Sequence, residues 1–240
     1  MRVIQSRVLQ KFFLGVVDPL IHGEHQTLAS WIAGLYTRLN PRDHNAWVLL
    51  ARCYGAFGDF TGEEVVLRRG LERIHDSDYL WGRLTASLIA QDRLEEGQEI
   101  IEDMKLLFSD SPYTWTWSSV LAARRDDLVE TQAHLRAAIE CLEWDGPSLP
   151  ATADCCGVLA EVLIFKLREA EKAKSLLARV FDTRIRDARV ALTLCVLKEI
   201  QGEPDAATVL EVARATWRGS ARSFDSVLER ERAQLQRAVA

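Results

Sequence analysis

AWVLLARCYGAFGDF, residues 46–60, places Trp47, Leu50, Ala51 and Tyr54 on one face of a helix and then turns at Gly58-Asp59. Residues three, four and seven apart share a helical face, so this row reads as a packing surface. The tryptophan returns at Trp81 and again at Trp115, each time 34 residues further on. A fixed period of that length points to a repeat architecture. Aligned on the three tryptophans, the third residue after each is Leu50, Leu84 or Ser118, and the fourth is Ala51, Thr85 or Ser119. The seventh is Tyr54, Leu88 or Ala122. Polar turns follow at Gly58-Asp59, Asp92-Arg93 and Asp126-Asp127, each just before Phe60, Leu94 or Leu128. A second apolar row then runs through Leu67, Ile101 and Leu135 and on to Gly70, Met104 and Ala138.

Each unit therefore reads as two antiparallel helices of about a dozen residues joined by a tight turn. The small side chains Ala51, Thr85 and Ser119 let the two helices approach closely. A single pair cannot bury its apolar face alone, so pairs stack and share a core. The pattern resembles the tetratricopeptide-repeat (TPR) family, whose first helix reads W-x2-L-G-x2-Y and whose second carries Ala, an aromatic and a closing Pro. Two departures stand out: Glu63, Gly97 and Thr131 occupy the family's Ala place, and the central repeats lack the closing Pro. The resemblance implies an all-α fold, a right-handed α-solenoid of about five to six helix pairs closed by a C-terminal capping helix.

One superhelical domain spanning residues 1–240 is expected, with strong repeats over 42–142. An N-terminal repeat fits residues 8–42, with Phe13 in the tryptophan place, Ala29, Ile32, Leu35 and Tyr36 on its second helix and Pro41 at its end. CLEWDGPSLPATAD breaks the period and predicts an enlarged loop around residues 144–153. Degenerate repeats cover 154–218, where Cys156, Leu159, Ala160 and Leu163 form the first row and Ala173, Leu177 and Val180 the second. The register there is open by one residue. A further pair runs from about Ile185 to Trp217 and turns at QGEPD. The capping helix spans 223–239, with Ser223 as N-cap and Phe224, Val227, Leu228, Leu235 and Val239 on its inner side.

The balance of the chain, 48% hydrophobic and 27% charged, is that of a globular protein. A net charge of -5 argues against a nucleic-acid footprint. An abundance of Arg over Lys fits a GC-rich, bacterial coding sequence rather than any contact. No apolar run reaches the ~20 residues of a membrane span. The N-terminal run Phe12 to Val17 ends in Asp18-Pro19 without a small-residue cleavage site, which argues against a signal peptide. Five cysteines at irregular spacings make no disulfide framework, so a reducing, cytoplasmic setting is expected.

Sites for chemistry are scarce. His22, Glu24 and His25 in HGEH lack the spacing of H-E-x-x-H and read as a polar turn, so no metal is expected. Cys155-Cys156, like Cys53 and Cys195, reads as packing, with a reactive thiol as the alternative for the vicinal pair. His75 and His134 stand alone. No phosphate loop and no nucleophile–base pair can be assembled, so no cofactor and no catalysis are expected.

In proteins of the resembled family the first helix of each repeat lines a concave groove. Carried onto this chain, the implied lining is Asn45, Val48, Leu49 and Arg52, then Tyr79, Gly82, Arg83 and Ala86, then Tyr113, Thr116, Trp117 and Val120, with Arg124 one turn on. Trp47, Trp81 and Trp115 read as core, buried between helices. Tyr113 and Trp117 flank Trp115 and turn toward the groove; the alternative is that Trp117 packs on a neighbouring repeat. The family's clamp for acidic chaperone termini is absent, because Val48, Arg52, Tyr113 and Trp117 stand where it needs Lys, Asn, Lys and Arg. The expected role is a non-catalytic scaffold or adaptor whose groove binds a protein or peptide segment with apolar anchors and acidic neighbours. A secretion-type chaperone shielding an apolar client segment, or an accessory subunit of an enzyme or envelope-assembly complex, are the alternatives. The apolar N-terminal segment is a candidate for self-association.

Overall fold

The computed structural model describes residues 2–22, 25–146, 148–183 and 187–239, with backbone alone for residues 2–9 and His22. Among these residues every regular element is a helix: α1 (Arg2–His22), α2 (Gln26–Leu39), α3 (His44–Gly55), α4 (Phe60–Leu71), α5 (Asp78–Ala90) and α6 (Leu94–Leu107). There follow α7 (Pro112–Arg124), α8 (Leu128–Glu140), α9 (Leu149–Phe165), α10 (Ala170–Phe181), α11 (Ala188–Ile200), α12 (Ala206–Thr216) and α13 (Ala221–Val239). Consecutive helices pack as pairs, so the fold is an all-α solenoid. The chain forms two compact units, residues 1–109 with 218–220 and residues 110–217 with 221–240. The first holds α1 to α6 and the second α7 to α13.

Local chemistry starts and stops these helices on the repeat's period. Four residues before each tryptophan stands a capping side chain: Asp43, Ser77 and Ser111 each accept a hydrogen bond from a first-turn N–H of α3, α5 and α7. Asp187 caps α11 in the same way, which puts Ala191 in the tryptophan place of the last pair. At the other end, Gly58, Asp92, Asp126 and Gly202 take left-handed backbone (φ 79°, 60°, 59° and 71°). The residue after each donates its N–H five residues back, Asp59 to Tyr54, Arg93 to Leu88, Asp127 to Ala122 and Glu203 to Lys198. This closes the helix with its last carbonyls satisfied. Aspartate tolerates left-handed backbone better than most side chains, so it replaces glycine in two turns.

The α9–α10 turn differs by one residue. Arg168 is left-handed there (φ 59°), and Glu169 donates six residues back, to Leu163. Leu163 thus matches Tyr54, Cys156 takes the tryptophan place, and the second row shifts by one. Cys156, Leu159, Ala160 and Leu163 are all buried, as are Ala173, Leu177 and Val180. The open register is resolved by this extra residue in the turn.

Several expected boundaries move. Helix α9 begins at Leu149, so the enlarged loop closes at 148 instead of 153; Pro150 sits in the first turn, where its missing N–H costs no hydrogen bond. Trp144 in that loop lies 3.8 Å beneath the Arg179 guanidinium, which pins it to α10. Helix α1 starts at Arg2 rather than near residue 8, and α11 at Ala188, Ile185 lying outside the described residues. Ser223 is inside α13, not its cap, and its hydroxyl accepts from the Trp217 indole (3.1 Å).

The small residues four after the tryptophan place, Ala51, Thr85, Ser119, Ala160 and Cys195, are all fully buried where the paired helices cross. Facing rows exchange volume. Phe13 stacks on Tyr36 (4.6 Å between centroids, 5° between planes), while Trp47 lies directly against Gly70. The tryptophans themselves are half-buried, not enclosed. One edge stays at the surface because the indole N–H reaches the preceding loop, Trp47 to the Pro41 carbonyl (2.9 Å) and Trp81 to that of His75 (3.0 Å). Trp115 packs 5.7 Å from the ring of His134, which is therefore not isolated.

A methyl group at position 70 would meet Trp47 Cγ at 3.0 Å, close to the ring's attachment and tied down by the Pro41 bond. Gly70→Ala gains about 1 kcal/mol of helix propensity but incurs an overpacking cost of about 1–3 kcal/mol. The expected net result is a lower melting temperature, read by circular dichroism.

Candidate binding surface

Burial sorts the first-helix positions by angle around each helix. The residue just after the tryptophan is buried in each strong repeat: Val48, Gly82 and Thr116. It points about 100° from the tryptophan row, and Val48 shares a core cluster with Leu80 and Leu84 of α5. The open stripe instead runs two before, two after, five after and nine after the tryptophan, spacings that share one helical face. In α3 this stripe presents Asn45 and Arg52, with Leu49 buried; in α5 it presents Tyr79, Arg83 and Ala86. In α7 it presents Trp117, Val120 and Arg124.

Five expected lining residues are therefore corrected. Val48, Leu49, Gly82, Thr116 and Tyr113 are buried, Tyr113 to 6% exposure, and none offers an anchor at the surface. The anticipated pair of exposed aromatics reduces to Trp117, which is half-buried. Trp117, Val120 and Arg124 stand at i, i+3 and i+7, a continuous strip of aromatic, aliphatic and cationic surface.

Two of the expected cations have partners inside the first unit. Arg52 reaches Asp18 on α1 at 3.2 Å, and Asp18 is itself buried. Arg83 holds Glu63 on α4 at 2.5 Å. Glu63 occupies the family's small-residue place at 2% exposure, packed against Gly55. Burial pushes its carboxyl above the usual range, and the charge of Arg83 offsets only part of that rise. Glu64 beside it is also buried; burial pushes it up, but hydrogen bonds from Arg68 and Arg93 hold it below the usual range. Adjacent carboxylates thus grip successive parts of the next repeat, Arg83 on α5 and Arg93 at the start of α6. Asn45 is held by Asp43 (3.1 Å), and Tyr79 stands edge-on to His44 (5.9 Å). Sequence reasoning saw Glu63 only as a departure from pattern. The signal was an acid at a small-residue place with an arginine 20 residues on.

Other chemistry is sparse among the described residues. No group of three His, Cys, Asp or Glu side chains is placed to hold a metal, and Glu24 of the HGEH stretch lies outside them. All five cysteines are free thiols, and burial pushes Cys53, Cys156 and Cys195 up to about 12. Such thiols stay protonated and unreactive at neutral pH. No described helix is long and apolar enough to cross a membrane.

Paired helices on a repeating register, each exposing one stripe of its first helix, define a helical-repeat solenoid. No protein-family model and no curated protein matches the sequence. Among solved structures, the chain is similar to a tetratricopeptide repeat protein from Parabacteroides merdae at 11% identity and TM-score 0.57, covering 95% of this chain and 84% of that one. It is also similar to a chain of the APC/C hetero-tetramer Cut9-Hcn1 at 16% identity and TM-score 0.52, covering 87% of this chain. There it spans only 40% of the matched chain's length. The fold is that of the tetratricopeptide-repeat proteins.

The Glu63–Arg83 pair makes a direct test of these contacts. Arg83→Ala strands a buried carboxylate; breaking such a pair costs roughly 3–5 kcal/mol when both ions are enclosed, and about 2 kcal/mol here because Arg83 is partly solvated. Glu63→Ala/Arg83→Ala should recover most of that loss in urea denaturation.

Proposed function

We propose that the chain is a non-catalytic interaction scaffold whose first-helix stripes hold a segment of a partner protein. The observation that carries this reading is the strip Trp117, Val120 and Arg124 on α7, left open on a helix otherwise almost wholly buried. An aromatic anchor beside an aliphatic and a guanidinium suits an apolar residue with an acidic neighbour on an extended or helical partner. The first unit has a stripe of its own, in which Tyr79 and Asn45 are partly open while Arg52 and Arg83 are committed to Asp18 and Glu63. With Tyr113 buried, the α7 strip offers a single aromatic anchor, which favours the scaffold over a chaperone for apolar clients. A chain that it resembles belongs to the Cut9-Hcn1 hetero-tetramer, in keeping with such a role. The five cysteines form no disulfide, which suits a reducing compartment such as the cytoplasm.

Trp117→Ala should weaken capture of the partner at least tenfold, in pull-downs read by quantitative mass spectrometry, with little change in melting temperature. Trp115→Ala should do the opposite, losing about 3 kcal/mol of stability through a cavity. Normal capture by Trp117→Ala would remove α7 from the binding surface.

A second surface supports self-association. Leu28, Trp31 and Leu39 are exposed along one stripe of α2, with half-buried Leu35 between them, and Phe12 is exposed on α1. Trp31 alone is 62% exposed, an expensive place for an indole in a monomer. We infer that this face meets a second copy of the chain. Sedimentation velocity should show a concentration-dependent dimer that Trp31→Asp converts to monomer.

A further inference from the structure

Helix α13 does not take the place of a next first helix. It packs chiefly on α11 and α9, the first helices of the last two pairs. In the registers set by Cys156 and Ala191, the open stripe of α9 is Val158, Glu161 and Phe165, and that of α11 is Thr193, Val196 and Ile200. These are the positions that hold Trp117, Val120 and Arg124 on α7. Helix α13 covers Thr193 and Val196, which are buried, and runs along the α9 stripe, where Val158 and Glu161 are half-buried and Phe165 stays exposed. Glu231 accepts from Thr193 (2.8 Å), and Arg232 forks onto Glu199 at 2.8 and 2.9 Å. Phe224, Leu228 and Leu235 are buried beneath α13 while its outer side carries Arg222, Asp225, Glu229, Arg230 and Arg237.

The seat is not tightly filled along its length. At the C-terminal end of α13 an open cleft of about 530 Å³ lies between Gln234, Arg237 and Ala238 on one side and Glu161, Phe165 and Arg168 on the other. Phe165 remains 39% exposed within it. One hydrogen bond, Arg168 to the Ala238 carbonyl (2.9 Å), spans that end. The helix is joined to α12 by the short segment Trp217 to Ser220, and at that end it is held by Trp217, whose ring packs edge-on to Phe224, and by the Arg214–Asp225 ion pair.

We propose that the inner face of α9 and α11 is a binding surface for amphipathic helices, and that α13 is its resident ligand. The face takes a helix with apolar anchors spaced as Phe224, Leu228 and Leu235, plus an acid and a base side by side as at Glu231 and Arg232. A partner helix of that pattern binds by displacing α13, so the chain's own C-terminal helix sets the threshold for occupancy. The inference stands apart from any partner on α3, α5 or α7.

Hydrogen exchange on the unmodified full chain should show residues 221–239 exchanging at least tenfold faster than α11. In Leu228→Asp/Leu235→Asp, α13 should lose protection while α9 and α11 keep theirs. A fluorescent synthetic peptide of residues 221–239 should then bind that variant at least tenfold more tightly than the unmodified chain, and a scrambled peptide should not. Arg232→Glu, which alters only the edge of the contact, should give an intermediate gain in peptide binding that Glu199→Arg reverses. Equal protection of α13 and α11 in the unmodified chain, collapse of α9 and α11 with α13, or peptide binding unchanged by both variants would overturn the proposal.

Discussion

Two helices can lie face to face only as closely as the side chains at their crossing allow, and in this protein that contact is set by one small residue in each pair from α3–α4 to α11–α12. Ala51, Thr85, Ser119, Ala160 and Cys195 are fully buried at those crossings. Everything else in the repeat follows from keeping that row aligned. The left-handed turn fixes the offset between the two helices, and the capping Asp or Ser fixes where the first one starts. The aromatic of the first helix then lands opposite whatever volume the second supplies, Gly70 beneath Trp47 and Tyr36 beside Phe13.

The same register explains why one acid is tolerated where the pattern wants a small apolar side chain. Glu63 enters a space that opens toward Arg83 in the next helix, and the guanidinium follows it in. The result replaces close packing by an ion pair whose desolvation is incompletely offset. It also withdraws Arg83 from the surface it would otherwise charge. A residue's place in the period therefore decides whether it faces outward, but a substitution elsewhere in the period decides whether it is available.

Much of the architecture was legible in Trp47, Trp81 and Trp115, because burial enforces the period on every layer of the core. The site was less legible. Val48 and Thr116 lie on first helices, as Trp117 does, and only the angle around the helix separates buried from open. Which angle stays open is a property of stacked pairs, which a pattern within one pair does not contain. The register beyond residue 144 was obscured by one extra residue before Arg168, which the hydrogen bond from Glu169 to Leu163 reveals and no composition signal announces. The caps at Asp43, Ser77, Ser111 and Asp187 keep one place in the period, four residues before each tryptophan place, and are legible in the sequence.

The burial of the cysteines has a practical side. Cys53 sits in α3, Cys156 in α9 and Cys195 in α11, each enclosed and each held in the thiol form, while Cys141 at the end of α8 is half-buried. An alkylating reagent in dilute buffer meets Cys141 first, giving a single native attachment point for a dye or spin label. The remaining thiols react only when their helix pair opens. Their labelling rates are thus local clocks, one in the first unit (Cys53) and three in the second (Cys155, Cys156 and Cys195), that time the breathing of individual repeats without any engineered probe.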